Sequence, residues 1–174
     1  TFQYRYGYYG QPQYLTKNAF VRTGYTFKNW NKNADGTGKS YEDEAEAVNL
    51  VAYSYMDYMK PKNVTLYAQW TPITYTVHYN GNGATSGSTA DSTHTYDIAR
   101  TLTANGFAKT GYMFAGWNTE ADGSGTSYAN SETVLNLTAE NGAVINLYAQ
   151  WTPIPHTVKY NGNGATSGTM ANSV

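Results

Sequence analysis

Cysteine is absent from the 174-residue chain, which excludes every disulfide framework and all thiolate chemistry. Charge is scarce as well. Asp, Glu, Lys and Arg make up 13% of the residues, about half of the roughly 25% usual in globular domains. A net charge of −1 and a pI near 6.2 argue against electrostatic capture of nucleic acid. No apolar run approaches the roughly 20 residues that a membrane-spanning helix needs. No signal peptide opens the chain, so a start at Thr1 reads as a mature or excised piece. What is abundant is aromatic surface: 16% of residues, with 18 Tyr, alongside 17 Gly. So much aromatic surface favours a packed core over a disordered tail, in one large domain or two small ones.

The chain repeats itself. Tyr75–Gly87 reads YTVHYNGNGATSG, and HTVKYNGNGATSG follows 81 positions later at His156–Gly168. Leu66–Ile73, LYAQWTPI, returns at Leu147–Ile154 with the same offset. Gly24–Asn31 (GYTFKNWN) and Gly111–Asn118 (GYMFAGWN) lie 87 apart, as do Tyr9 and Tyr96, Phe20 and Phe107, and Asp35-Gly36 and Asp122-Gly123. The difference of six places an insertion in the first copy, between about Val51 and Asn63. A fixed period of this kind is the signature of a tandem array. The expected organisation is a repeat unit without its first strand over 1–72, a complete unit over 73–154, and the first strand of a following unit over 155–174.

Local patterning predicts a mostly β (α+β) fold. Tyr75, Val77 and Tyr79 alternate with polar residues and feed the Asn80-Gly81 turn, as a half-buried strand would. Leu66, Ala68 and Trp70 mark a second strand, stopped by Thr71-Pro72. Tyr25 and Phe27, with Tyr112 and Phe114, mark a third. One short helix per unit is expected at most. In the first unit it would start at Glu42–Glu46, where acidic residues suit a helix N-terminus, continue through Val48, Ala52, Tyr55 and Met59, and stop at Pro61. In the second it would cover Ser131–Glu140.

GYTFKNWN, the Asp-Gly-x-Gly turn and MKPKNVTLYAQW together resemble the Listeria–Bacteroides repeat, the B-repeat type of internalin-like surface proteins. All three of its blocks occur in order in residues 75–151, and two of them in residues 9–70. The resemblance implies a small β-grasp, ubiquitin-like module from a secreted or surface-anchored bacterial protein. The Tyr-rich opening, Thr1–Tyr9, and the insertion depart from the pattern.

No constellation for catalysis, cofactor or metal stands out. His78, His94 and His156 have no second ligand at metal-binding spacing, and no nucleophile elbow is present. Glu42–Glu46 would only repel one another as an acid–base set. Asn80–Gly83 and Asn161–Gly164 lack the Lys-Ser/Thr and helix start of a phosphate loop and read as hairpin turns. Asn33–Gly38 and Asp122–Gly125 lack the spaced acidic ligands of a calcium loop. Trp30, Trp70, Trp117 and Trp151 recur at equivalent positions and are expected to hold each unit's core or the junction to its neighbour.

The residues therefore point to a non-enzymatic extracellular array, a spacer or adhesin at the bacterial cell surface, without cofactor. Its expected partners are adjacent repeats, other copies of itself, or a host or cell-surface protein. The rival reading is a glycan-binding module that uses the repeated Trp and Tyr; buried Trp favour the scaffold, a shared open ledge the lectin. Proline at Thr71-Pro72-Ile73 and Thr152–Pro155 predicts semi-rigid junctions. A unit of about 80 residues buries only around 60% of its unfolded surface, so contact with a neighbour is expected to stabilise it. The tail supplies a further expectation. His156, Val158 and Tyr160 match Tyr75, Val77 and Tyr79, the strand that the first unit lacks, so copies could assemble head to tail by strand donation into a filament. The equal alternative is an array cut at an arbitrary phase.

Overall fold

The computed structural model describes residues 2–3, 13–48, 50 and 63–173. The chain divides into two compact units. The first comprises residues 1–75 with 95–98 and 135–143, and the second residues 76–94, 99–134 and 144–174.

Among the described residues, the first unit holds strands β1 (Phe2–Gln3), β2 (Tyr25–Asn31), β3 (Ser40–Tyr41), β4 (Asn63–Val64) and β5 (Tyr67–Pro72). They form a three-stranded sheet in the order β3-β2-β5 and a separate β1-β4 pair. A small core of Leu15, Tyr41, Ala47 and Leu50 backs the sheet, with Trp30, Val64 and Leu66 packed against it. Ile73 is buried beyond β5. Its N–H donates to Gly24 O at 3.0 Å, and its carbonyl accepts from Tyr96 N at 3.0 Å. Within this unit Tyr25 meets the Tyr96 ring edge-on at 5.9 Å. The Tyr25 hydroxyl donates to Asp97 Oδ2 at 2.8 Å, and Asn136 Nδ2 donates to Asp97 Oδ1 at 2.7 Å. The Thr-Pro-Ile segment is thus packed within the first unit.

β6 (Thr74–Asn80) leads into the second unit, followed by β7 (Ser86–Gly87), β8 (Ser92–Thr95), β9 (Arg100–Thr101), β10 (Phe107–Ala108), β11 (Tyr112–Asn118), β12 (Ser127–Tyr128), β13 (Thr133–Val134) and β14 (Val144–Pro153). Five of these make one sheet in the order β12-β11-β14-β6-β8. β14 is shared: Val144–Tyr148 run parallel to Thr76–Asn80, while Tyr148–Pro153 pair antiparallel with β11. The alternation read from sequence holds, with Tyr75, Val77 and Tyr79 all at 3% exposure or less. β2 and β11 carry the same irregularity, a register shift after Phe27 and after Phe114.

The mostly β expectation is met, but the helical part is not. Among the described residues there is no helix, and none long and apolar enough to cross a membrane. Ser131–Glu140 is a turn followed by β13 and irregular chain, not a helix. Glu42–Ala47 is likewise a turn leading into a bridge between Tyr14 and Glu46. The cause is shared. Glu44 (φ 56°) and Ser131 (φ 57°) occupy the left-handed region, which breaks a helix at its first turn. The following residues pair instead with the chain: Leu15 N donates to Ala45 O and Leu102 N to Glu132 O. Asp43 and Asn130 cap the backbone N–H groups of Asn18 and Asn105, both at 2.8 Å, instead of a helix terminus. The rest of the first helix expectation and the insertion, 51–62, lie outside the described residues.

Candidate functional site

The surroundings of the repeated aromatic residues differ between the two copies among the described residues. In the second unit, β6 carries Tyr79 into a socket made by residues that have partners in the first copy. Its ring lies against Trp117 at 4.9 Å with a 58° tilt. Its hydroxyl accepts from Thr103 N at 2.8 Å and shares a 3.0 Å hydrogen bond with Ser92 Oγ. Phe107 meets Trp117 edge-on at 6.3 Å, and Leu102 and Leu147 are buried alongside. Trp117 is fully buried, with its Nε1 unpartnered.

The first unit repeats the walls. Leu15, Thr16, Phe20 and Trp30 are the counterparts of Leu102, Thr103, Phe107 and Trp117, and Leu66 is that of Leu147. Phe20 meets Trp30 edge-on at 6.1 Å, close to the Phe107–Trp117 geometry. Among the described residues, these five with Leu50 and Val64 line a cavity of about 260 Å³. Trp30 is only half-buried, and its Nε1 donates to Asp43 Oδ1 at 3.4 Å.

Trp70 and Trp151 are half-buried, each edge-on to a Phe of the neighbouring strand, Phe27 at 5.8 Å and Phe114 at 5.7 Å. Trp151 Nε1 donates to Gly81 O at 3.0 Å, which ties the Asn80–Gly83 turn to β14. Asn82 (φ 45°) reinforces this, donating to Ala121 O and Ala149 O at 2.8 and 2.9 Å. The segment after this turn, β7, pairs with β10, so the turn opens a loop rather than a tight hairpin.

The tail is different in character. His156, Val158 and Tyr160 are all exposed, Val158 at 42% and Tyr160 at 49%. His156 lies in irregular chain, not in a strand as its likeness to Tyr75 implies. Val158 forms only an isolated bridge to Ser173, and Tyr160 shares a 3.2 Å hydrogen bond with Ser173 Oγ.

Two buried asparagines escaped sequence reasoning. Asn31 and Asn118 end β2 and β11 and organise the Asp-Gly loops identically. Asn31 Nδ2 donates to Gly36 O, Gly38 O and Ser40 Oγ, and its Oδ1 accepts from Asn33 N and Gly38 N. Asn118 makes the same five contacts with Gly123, Gly125, Ser127 and Glu120. The signal available was an Asn at the last strand position in both copies. Thr37 and Ser124 hydrogen bonds hold the loop carboxylates of Asp35 and Asp122 below their usual range.

The histidines are scattered. His78 Nδ1 lies 2.8 Å from Asp91 Oδ1 at the surface, a pairing that spacing did not suggest. His94 Nε2 lies 2.9 Å from Ser92 Oγ, buried beneath Tyr79's hydroxyl. Burial, helped by the charge of Arg100, holds His94 below its ordinary value. Among the described residues, no three His, Asp or Glu side chains gather where they could share a metal ion.

The sequence profile of the Listeria–Bacteroides repeat domain matches this chain twice, over residues 6–69 and 75–150. A protein of Evansella cellulosilytica whose name describes a Gly-rich membrane protein is 36% identical over 148 residues, covering 83% of this chain and 16% of its own length. A second from the same organism, named as a membrane protein, is 34% identical over 133 residues, covering 75% and 17%. The chain therefore spans less than a fifth of the length of these relatives. No solved structure matches it significantly. With both copies matched in order, and the strand, Asp-Gly loop and final strand of each built alike, the chain belongs to the Listeria–Bacteroides repeat family.

Proposed function

We propose that this chain is a non-enzymatic stretch of a bacterial cell-envelope array. In this reading its β-grasp repeats serve as spacer and adhesive scaffold and join head to tail by strand complementation. The observation that carries the scaffold reading is the packing at Ile73. A buried residue held by backbone hydrogen bonds on both sides, with Tyr25, Asp97 and Asn136 latched beside it, packs the Thr-Pro-Ile segment firmly into the first compact unit. The names of the Evansella relatives support an envelope location. The β-grasp reading rests on the second unit, whose first and last long strands lie side by side and parallel within a mixed sheet. It is a β-grasp built without a helix among the described residues.

Partners in this reading are neighbouring repeats and further copies of the chain. The glycan-binding alternative has less support, because Trp117 is sealed from solvent and Trp30, Trp70 and Trp151 each lean on a Phe. The test is sedimentation of the full chain beside a chain ending at Pro155. The full chain should form linear, concentration-dependent assemblies, and the shortened chain should stay monomeric. Unchanged assembly would remove strand complementation from the function.

A further inference from the structure

The five-stranded sheet of the second unit ends in β12 on one side and β8 on the other, and the two outer edges are treated differently. β12 is only two residues long, and Asn118 Nδ2 bonds its Ser127 hydroxyl. β8 is longer, Ser92–Thr95, and among the described residues it has a sheet neighbour, β6, on one side alone. The Arg100 guanidinium lies against β8 and donates to Thr93 O. We infer that Arg100 is an edge guard, which keeps β8 from pairing with the β8 of a second copy. The role concerns a different edge from the strand complementation proposed above and stands apart from it.

β8 has what a pairing edge needs. Ser92 and His94 are buried, while Thr93 between them is exposed. The inner side is well anchored: the Tyr79 hydroxyl shares a 3.0 Å hydrogen bond with Ser92 Oγ, and His78 Nδ1 lies 2.8 Å from Asp91 Oδ1 just ahead of the strand. Threonine suits extended backbone, and a carbonyl at the rim of a sheet is an acceptor that a strand from outside can use. Such an edge is self-complementary, since a two-fold axis brings the same segment to itself in antiparallel order. Among similar modules in one chain these edges stand at high local concentration, the condition in which repeat proteins misassemble.

Arg100 is fixed where it can prevent this. β9 pairs with β13, Arg100 opposite Val134 and Thr101 opposite Thr133, and Val134 and Leu102 are buried. The Thr101 and Thr133 hydroxyls share a 3.1 Å hydrogen bond, and Leu102 N donates to Glu132 O at 2.8 Å. The backbone is therefore held while the exposed side chain reaches back seven residues to Thr93. An incoming strand has to take Thr93 O from the guanidinium and cover a permanent cation that has lost its acceptor. In the two-fold arrangement two such cations meet at one seam, and their repulsion adds to the cost.

The absence of cysteine allows a single reporter in the full chain. Thr93→Cys, at the exposed edge, is prepared with and without Arg100→Ala, and covalent dimer is measured by non-reducing electrophoresis after mild oxidation. Lys28→Cys, exposed on β2, is the control in both backgrounds. Head-to-tail association is common to both backgrounds and cancels in the comparison. The Thr93→Cys dimer should rise several-fold with Arg100→Ala and stay near its starting level with Arg100→Lys, which keeps a cation at the edge. The Lys28→Cys dimer should not change. A Thr93→Cys yield that ignores Arg100→Ala overturns the inference. An equal rise at Lys28→Cys overturns it as well, because loosened structure and not the edge is then responsible. The same rise with Arg100→Lys also overturns it, since a cation then does not close the edge.

Discussion

Trp117 and Trp30 stand at matching positions on matching strands, with the same Phe edge-on beside them, yet one is sealed and the other faces a cavity. In the second unit β6 slides Tyr79 between Trp117 and Thr103. The Asp-Gly loops, by contrast, are the same in both copies down to the five hydrogen bonds of Asn31 and Asn118. The lesson is that this module has two independent parts. Its loops are folded by local hydrogen bonds that each copy carries within itself, whereas the core of the second unit is closed by a strand whose Tyr79 lies 38 positions before Trp117 in the chain.

The comparison breaks most sharply at the tryptophans. Trp117→Ala should destabilise the second unit by about 3–5 kcal/mol in urea unfolding, since a fully enclosed aromatic leaves a cavity that cannot collapse. Trp30→Ala should cost about 1–2 kcal/mol, because its half-exposed ring buries less area. Equal losses would show that the two tryptophans are equally enclosed. Next come the asparagines. Asn118→Ala and Asn31→Ala should each cost about 2–3 kcal/mol, by stranding the loop N–H and carbonyl groups that the amide satisfies. A gap between the two above roughly 1 kcal/mol would refute the equivalence of the loops.

A smaller difference is expected at the final strand. Trp151→Phe should cost about 1 kcal/mol, the value of its bond to Gly81 O. Trp70→Phe should stay within about 0.5 kcal/mol, as no acceptor for its indole stands among the described residues. The smallest effect is in acid. His94 has Gly7 as its counterpart, so only the second unit carries this titration. Burial lowers the folded pKa of His94 below its model-compound value of 6.5, so the unfolded chain takes up the proton first. The associated stability is full above about pH 6.5 and is lost as pH falls from there through the folded value. Urea midpoints at pH 7.5 and 5.5 should differ for the native chain, and His94→Asn should flatten that slope.

Much of this was legible in the residues. The alternation of Tyr75, Val77 and Tyr79 announced the central strand, and the offsets of the GYTF and LYAQW blocks announced the repeat. What was not legible depended on distant parts of the chain. Glu42–Glu46 carries the charge of a helix start, but pairing with the chain near Leu15 and a left-handed Glu44 decide the outcome, and neither leaves a local trace. Tyr25 finds Asp97 across 72 positions, and His78 finds Asp91 only because two strands are neighbours. Asn31 looked like one more polar residue in an Asn-rich exit. Its burial follows from the loop folding back over it, a tertiary fact.

β14 is also a mechanical element. It lies parallel to β6 over Val144–Tyr148, with the chain entering the pair at the start of β6 and leaving at the far end of β14. Tension along an array would pull these two strands in opposite directions along their shared axis. Their slanted hydrogen bonds would then be strained together, in shear, and none could be peeled away before the others. A repeat wired in this way resists stretching far better than its thermodynamic stability alone suggests.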